Sequence, residues 1–112
     1  MADPTIWKFS LESRGKNDFC AAIPSVATIL SVGWQGEFVA WAIVDPNASA
    51  VAHWFHIAGT GHPLPLALDH GGKMLGRVEI KAPSGVLIFH AFYTGAWRAG
   101  HEAFPDPNER ME

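Results

Sequence analysis

The sequence predicts an all-β fold, a single-domain antiparallel β-sandwich or small barrel of about seven strands with at most one short helical turn. Three observations lead there. The chain has 112 residues, enough for one hydrophobic core and too few for two ordinary domains. Hydrophobic residues make up 48% and charged residues only 17%, so there is apolar surface to offset the entropy of ordering the backbone. Those apolar residues alternate or cluster in short runs separated by Gly, Pro, Asn and Asp, a strand-and-turn rhythm with no helical period.

Taken in order, Thr5 to Leu11 alternates Trp7, Phe9 and Leu11 against Lys8 and Ser10, as a half-buried strand does. Ser13 to Asp18 is a polar turn. Asp18 to Ile23 is a second strand, stopped at Pro24, which has no N–H to give to a ladder. Val26 to Trp34 is the third, and Gln35-Gly36 turns it tightly into Glu37 to Val44. That fourth strand carries Phe38, Ala40, Ala42 and Val44 on one face and Val39, Trp41 and Ile43 on the other. Apolar residues on both faces predict a central strand covered twice, by a second sheet or by another subunit.

Asp45-Pro46-Asn47 ends it, and Val51 to Ala58 and Met74 to Lys81 are the fifth and sixth strands. Ala82 to Gly85 then turns the chain into Val86 to Tyr93, again apolar on both faces. Between the fifth and sixth strands, Gly59 to Gly72 is the longest stretch that does not read as strand, and Pro65 and Gly71 would open and close one helical turn within it. From Gly95 the alternation fails. The expected organisation is therefore a β domain over residues 1–94 and a flexible C-terminal tail over 95–112, with Trp97 and Phe104 its apolar exceptions.

A net charge of −3 and a pI near 6.0, with no run of Lys or Arg, exclude the electrostatic footprint of a non-specific nucleic-acid binder. Cys20 is the single cysteine and sits among Phe19, Ala21, Ala22 and Ile23, where an inert buried thiol is expected. No basic region precedes an apolar stretch at the N-terminus, and no apolar run is long enough to cross a bilayer, so a cytoplasmic protein without membrane attachment is expected.

The chain has six histidines, which raises the question of zinc. His53 and His56 are three apart, and on a strand such residues point to opposite faces, so they do not chelate one ion unless a bulge intervenes. No metal site and no cofactor are expected. Ser25, His90 and Asp69 can be assembled into a hydrolase triad on paper, but no nucleophile elbow or framed pair of carboxylates accompanies them, and no catalytic residue is assigned. The most pointed feature is Gly59-Thr60-Gly61-His62. Its glycines let the backbone approach an anion, Thr60 and His62 add side-chain donors, and Lys73 and Arg77 follow. These six residues form the expected ligand site, against the alternative that the loop is a structural turn.

Ile6-Trp7-Lys8, Trp41-Ala42-Ile43-Val44-Asp45-Pro46, Gly59-Thr60-Gly61-His62-Pro63 and the closing Gly85 to Phe92 resemble a family of small uncharacterised proteins found widely in bacteriophage and bacterial genomes. The likeness covers residues 5–93. It carries no catalytic residues with it. The resemblance implies a phage accessory protein in the host cytoplasm, of the kind that counters host defences by sequestering a nucleotide-like signal or blocking a host protein. The function expected is non-enzymatic binding, with a histidine- or metal-dependent hydrolase acting on a nucleotide, or a phage structural component, as alternatives. Two-sided apolar strands add the expectation of a homo-oligomer.

Overall fold

The computed structural model describes residues 3–64 and 73–97, all strand and turn. The strands are β1 (Thr5–Ser10), β2 (Glu12–Ser13), β3 (Asp18–Pro24), β4 (Ala27–Trp34), β5 (Phe38–Val44), β6 (Ala50–Gly59), β7 (Lys73–Ala82) and β8 (Gly85–Trp97). They form two antiparallel sheets, a three-stranded one in the order β1-β5-β4 and a five-stranded one in the order β2-β3-β6-β8-β7. The all-β class expected from the alternation is the class observed.

The inner face of the small sheet is read from its register. Ala42 stands opposite Trp7 on one side and Ile29 on the other, and Ala40 opposite Phe9 and Val32. From the large sheet, Ile23, Phe55, Ile57, Val78 and Ala91 meet them in one core, and Phe55 and Ala40 are wholly buried. A fully buried Phe is worth roughly 1.5–3 kcal/mol relative to its exposed state. Phe38 ties the layers at one end, its ring edge-on to Phe19 at 5.3 Å and to Phe89 at 5.5 Å.

Three differences from the sequence reading have local causes. Thr5 to Leu11 reads as one strand, but the chain changes sheets at Leu11. There the N–H of Leu11 donates to Phe38 O at 2.9 Å while its side chain enters the core, and Glu12–Ser13 goes on to pair with Cys20 and Phe19 of β3. The alternation breaks at Gly95 because β8 is bulged. Tyr93 faces Phe55 and Gly95 faces Trp54, which leaves Thr94 as the extra residue, and Gly95 has φ 128°, a conformation that L side chains rarely adopt. β8 accordingly runs to Trp97, past the residue-94 boundary. β5 is central, as expected, but a second sheet covers only its Phe38, Ala40, Ala42 and Val44 face. The expected helical turn from Pro65 to Gly71 and the tail beyond Trp97 lie outside the described residues.

Candidate functional site

The alternation of β6 sends Val51, His53, Phe55 and Ile57 inward and Trp54, His56 and Ala58 outward. On the outward face of the large sheet, Ala58 stands opposite His90 of β8, and His90 opposite Arg77 of β7. β6 ends at Gly59. Thr60 is held there by its N–H donating to Ile88 O at 3.1 Å, and its hydroxyl lies 2.9 Å from His90 Nε2. Gly61, at φ 92°, closes the turn with the His62 N–H donating to Gly59 O at 3.1 Å. An exposed hydroxyl, an imidazole and a guanidinium thus come from one turn and two adjacent strands. Arg77 Nη2 lies 2.9 Å from Glu79 Oε2, an exposed pair of little stability value that a competing anion can displace.

Of the six expected site residues, Gly59, Thr60, Gly61 and Arg77 belong to this patch by position. His62 folds back toward Gly59, where a Cβ would meet its imidazole Nδ1 at 3.3 Å, so this histidine occupies the space that the missing side chain leaves. Lys73 does not join them. It stands opposite Tyr93, on the other face from His90 and three residues further along β8. His90 was not part of the expected site, because nothing in the local sequence ties it to Thr60 thirty residues earlier. Only the β6–β8 register does so.

The other histidines separate as their spacing predicts. His53 lies in the core, its Nε2–H donating to Pro24 O at 3.1 Å and its Nδ1 accepting the Tyr93 hydroxyl at 2.9 Å. With Nε2 as donor and Nδ1 as acceptor, the network accommodates a neutral imidazole. Burial lowers the His53 pKa from its ordinary value, opposed by the carbonyls of Pro24 and Ile23, and burial raises that of Tyr93. His56 points away from the core, with Nδ1 3.1 Å from Asp18 Oδ1, while its Nε2 is buried with no hydrogen-bond partner among the described residues. The sequence contained one signal for this pair, a carboxylate and an imidazole on neighbouring strands, but only the Asp18–His56 register joins them.

Arg14 Nε–H donates to Cys20 Sγ at 3.3 Å, and the thiol is buried, as expected of a packing cysteine. Cys20, Ala22 and Ala52 floor a groove of about 440 Å³ that Ser10, Glu12 and Arg14 wall. The paper triad does not assemble. Ser25 follows Pro24, which pairs with Ala50, whereas His90 pairs with Ala58, eight residues or about 26 Å along β6 at the usual strand rise. Asp69 lies outside the described residues. Among the described residues, no three His, Cys, Asp or Glu side chains are grouped to hold a metal ion, and no helix is long and apolar enough to cross a membrane.

Fold and site together define a small two-sheet antiparallel β domain whose larger sheet holds one polar contact inward, His53 with Tyr93, and turns Asp18–His56, Thr60–His90 and Arg77–Glu79 away from the core. Residues 3–99 match the family described as a domain of unknown function, DUF7352, and the chain belongs to that family. No curated protein and no solved structure matches it.

Proposed function

We propose that this chain is a non-enzymatic binding module that takes a small anionic, nucleotide-like ligand on the outward face of the larger sheet. The observation that supports it is the patch of Thr60, His90 and Arg77, three donor-bearing side chains on adjacent strands beside a glycine turn, all with access to solvent. A phosphate is recognised in this way by hydroxyl, imidazole and guanidinium donors together. The resemblance to phage-borne proteins supplies a setting, the host cytoplasm, where sequestering a nucleotide signal or covering a host protein is useful.

Calorimetric titration with inorganic phosphate and a panel of linear and cyclic nucleotides tests the proposal. Thr60→Val, His90→Ala and Arg77→Ala should each weaken binding by roughly 1–3 kcal/mol, the value of a hydrogen bond to a charged group. Absence of binding by the unaltered protein would sink it, as would a ligand whose affinity all three variants leave unchanged. A second reading, a histidine-dependent hydrolase, has the Asp18–His56 pair as its candidate, since a carboxylate on Nδ1 is how an imidazole is oriented as a base, but the Nε2 that would take the proton is buried and must first be uncovered. It predicts nucleotide turnover that His56→Gln abolishes.

A further inference from the structure

We propose that the outward face of the three-stranded sheet is a self-association surface whose occupant is a second copy of this chain. The inference deepens the expectation of a homo-oligomer and is independent of the anion patch, which lies on the opposite sheet. Register assigns the face. Ile6, Ile43 and Thr28 form one row, Lys8, Trp41 and Ser31 the next, and Ser10, Val39 and Gly33 the third. Ile6 is 60% exposed, and so is 42% of Leu30, the extra residue of the β4 bulge that joins Ser31 opposite Trp41. The indole of Trp41 lies along the sheet instead of standing off it, because Gly33 offers no side chain. A Cβ at Gly33 would come within 2.8 Å of Trp41 Cζ3. Exposed Ile6 and Leu30 and the flat indole of Trp41 therefore share a level face with Thr28, Lys8, Ser31 and Ser10, a shape suited to packing flat against another sheet.

What selects a second copy over another partner is the charge at one end of the face. Lys8 Nζ donates to Gln35 Oε1 at 2.8 Å, and Glu37 Oε2 accepts the Ser10 hydroxyl at 2.8 Å. One cation and one anion are thus each held by a neutral partner at the hairpin end of the sheet. The end is neutral, which offers nothing to a nucleic acid, and it is self-complementary. A two-fold axis that sets the faces against each other can bring Lys8 of one copy to Glu37 of the other, as an isologous contact requires. The face is small, about 14 Å by about 23 Å for three strands of seven residues. That is below the ~800 Å² per partner of a standard interface, so the dimer is weak and concentration-dependent.

Sedimentation velocity across about 5 to 500 µM is the test, since dimer population follows protomer concentration. The mass should rise from the 12.2 kDa of one chain toward twice that value. Ile6→Glu and Leu30→Glu, on the two edge strands and both at exposed positions, should each weaken association by about tenfold or more, by replacing the most exposed apolar side chains of the face with charge. Val86→Glu, an exposed apolar position on the other sheet, should leave it unchanged. Lys8→Glu should weaken it, and Lys8→Glu with Glu37→Lys should restore it. Circular dichroism checks that each variant is folded. A single-chain mass at every concentration overturns the proposal. So does association that survives both Ile6→Glu and Leu30→Glu in folded protein, or that the charge swap fails to restore.

Discussion

The two sheets share one core but face outward differently. On the side of the large sheet turned away from the core stand Asp18–His56, Thr60–His90 and Arg77–Glu79, with His56 itself buried, whereas the small sheet turns Ile6, Leu30, Trp41 and Ile43 away from the core, with its charges gathered at one end. Both surfaces rest on strands whose inner faces are equally apolar. The difference teaches that burial in the core sets only every second residue of a strand. The alternate residues are free to take two separate characters, hydrogen-bonded polar pairs on one side of the molecule and apolar side chains on the other.

The contrast is sharpened first by its shared reference. Phe55→Ala removes a wholly buried ring between the sheets and should cost about 3–5 kcal/mol in urea unfolding, whichever outer face is considered. Next comes the polar face. Asp18→Ala strips the buried His56 of its Nδ1 partner and should cost about 1–3 kcal/mol, the penalty for a buried polar group left unsatisfied, whereas a merely solvated pair would lose almost nothing. On the apolar face, Gly33→Ala pushes a Cβ against Trp41 and should cost about 1–3 kcal/mol by overpacking. Indole fluorescence should show Trp41 displaced, and an unshifted spectrum with unchanged stability would mean that the indole is not held along the sheet.

Acidification probes the layer between the faces. His53 is neutral in the fold and its pKa is lowered by burial, so below the ordinary value of 6.5 the unfolded chain binds a proton that the folded chain does not. Stability is then greater above that pH and falls as pH drops from there toward the folded-state pKa, with a slope limited to about 1.4 kcal/mol per pH unit for one proton. His53→Gln should flatten the unfolding free energy against pH between neutral and mildly acidic conditions; an unchanged slope would assign the loss to other groups. The smallest effects are expected at the two exposed positions that the proposed contacts use. Ile6→Glu and Thr60→Val should shift monomer stability by no more than about 0.5 kcal/mol while changing association and anion binding respectively.

By itself the sequence determined the all-β class, most strand positions, the hairpin at Gln35-Gly36, the inward set Phe38, Ala40, Ala42 and Val44, and the division of His53 from His56, because each follows from period-2 alternation and turn chemistry over a few residues. It marked the Gly59 to Gly61 turn by composition alone. What only the tertiary structure decided are the features that join distant segments. The crossing at Leu11 looks like uninterrupted strand in the sequence, since a chain that changes sheets keeps its alternation. The bulge at Thr94 resembles the end of a domain, since one extra residue inverts the pattern. Thr60 meets His90, and Asp18 meets His56, through strand register. A one-residue slip would send every one of these side chains to the other face, and register is set by the packing of both sheets against a common core, which no local segment encodes.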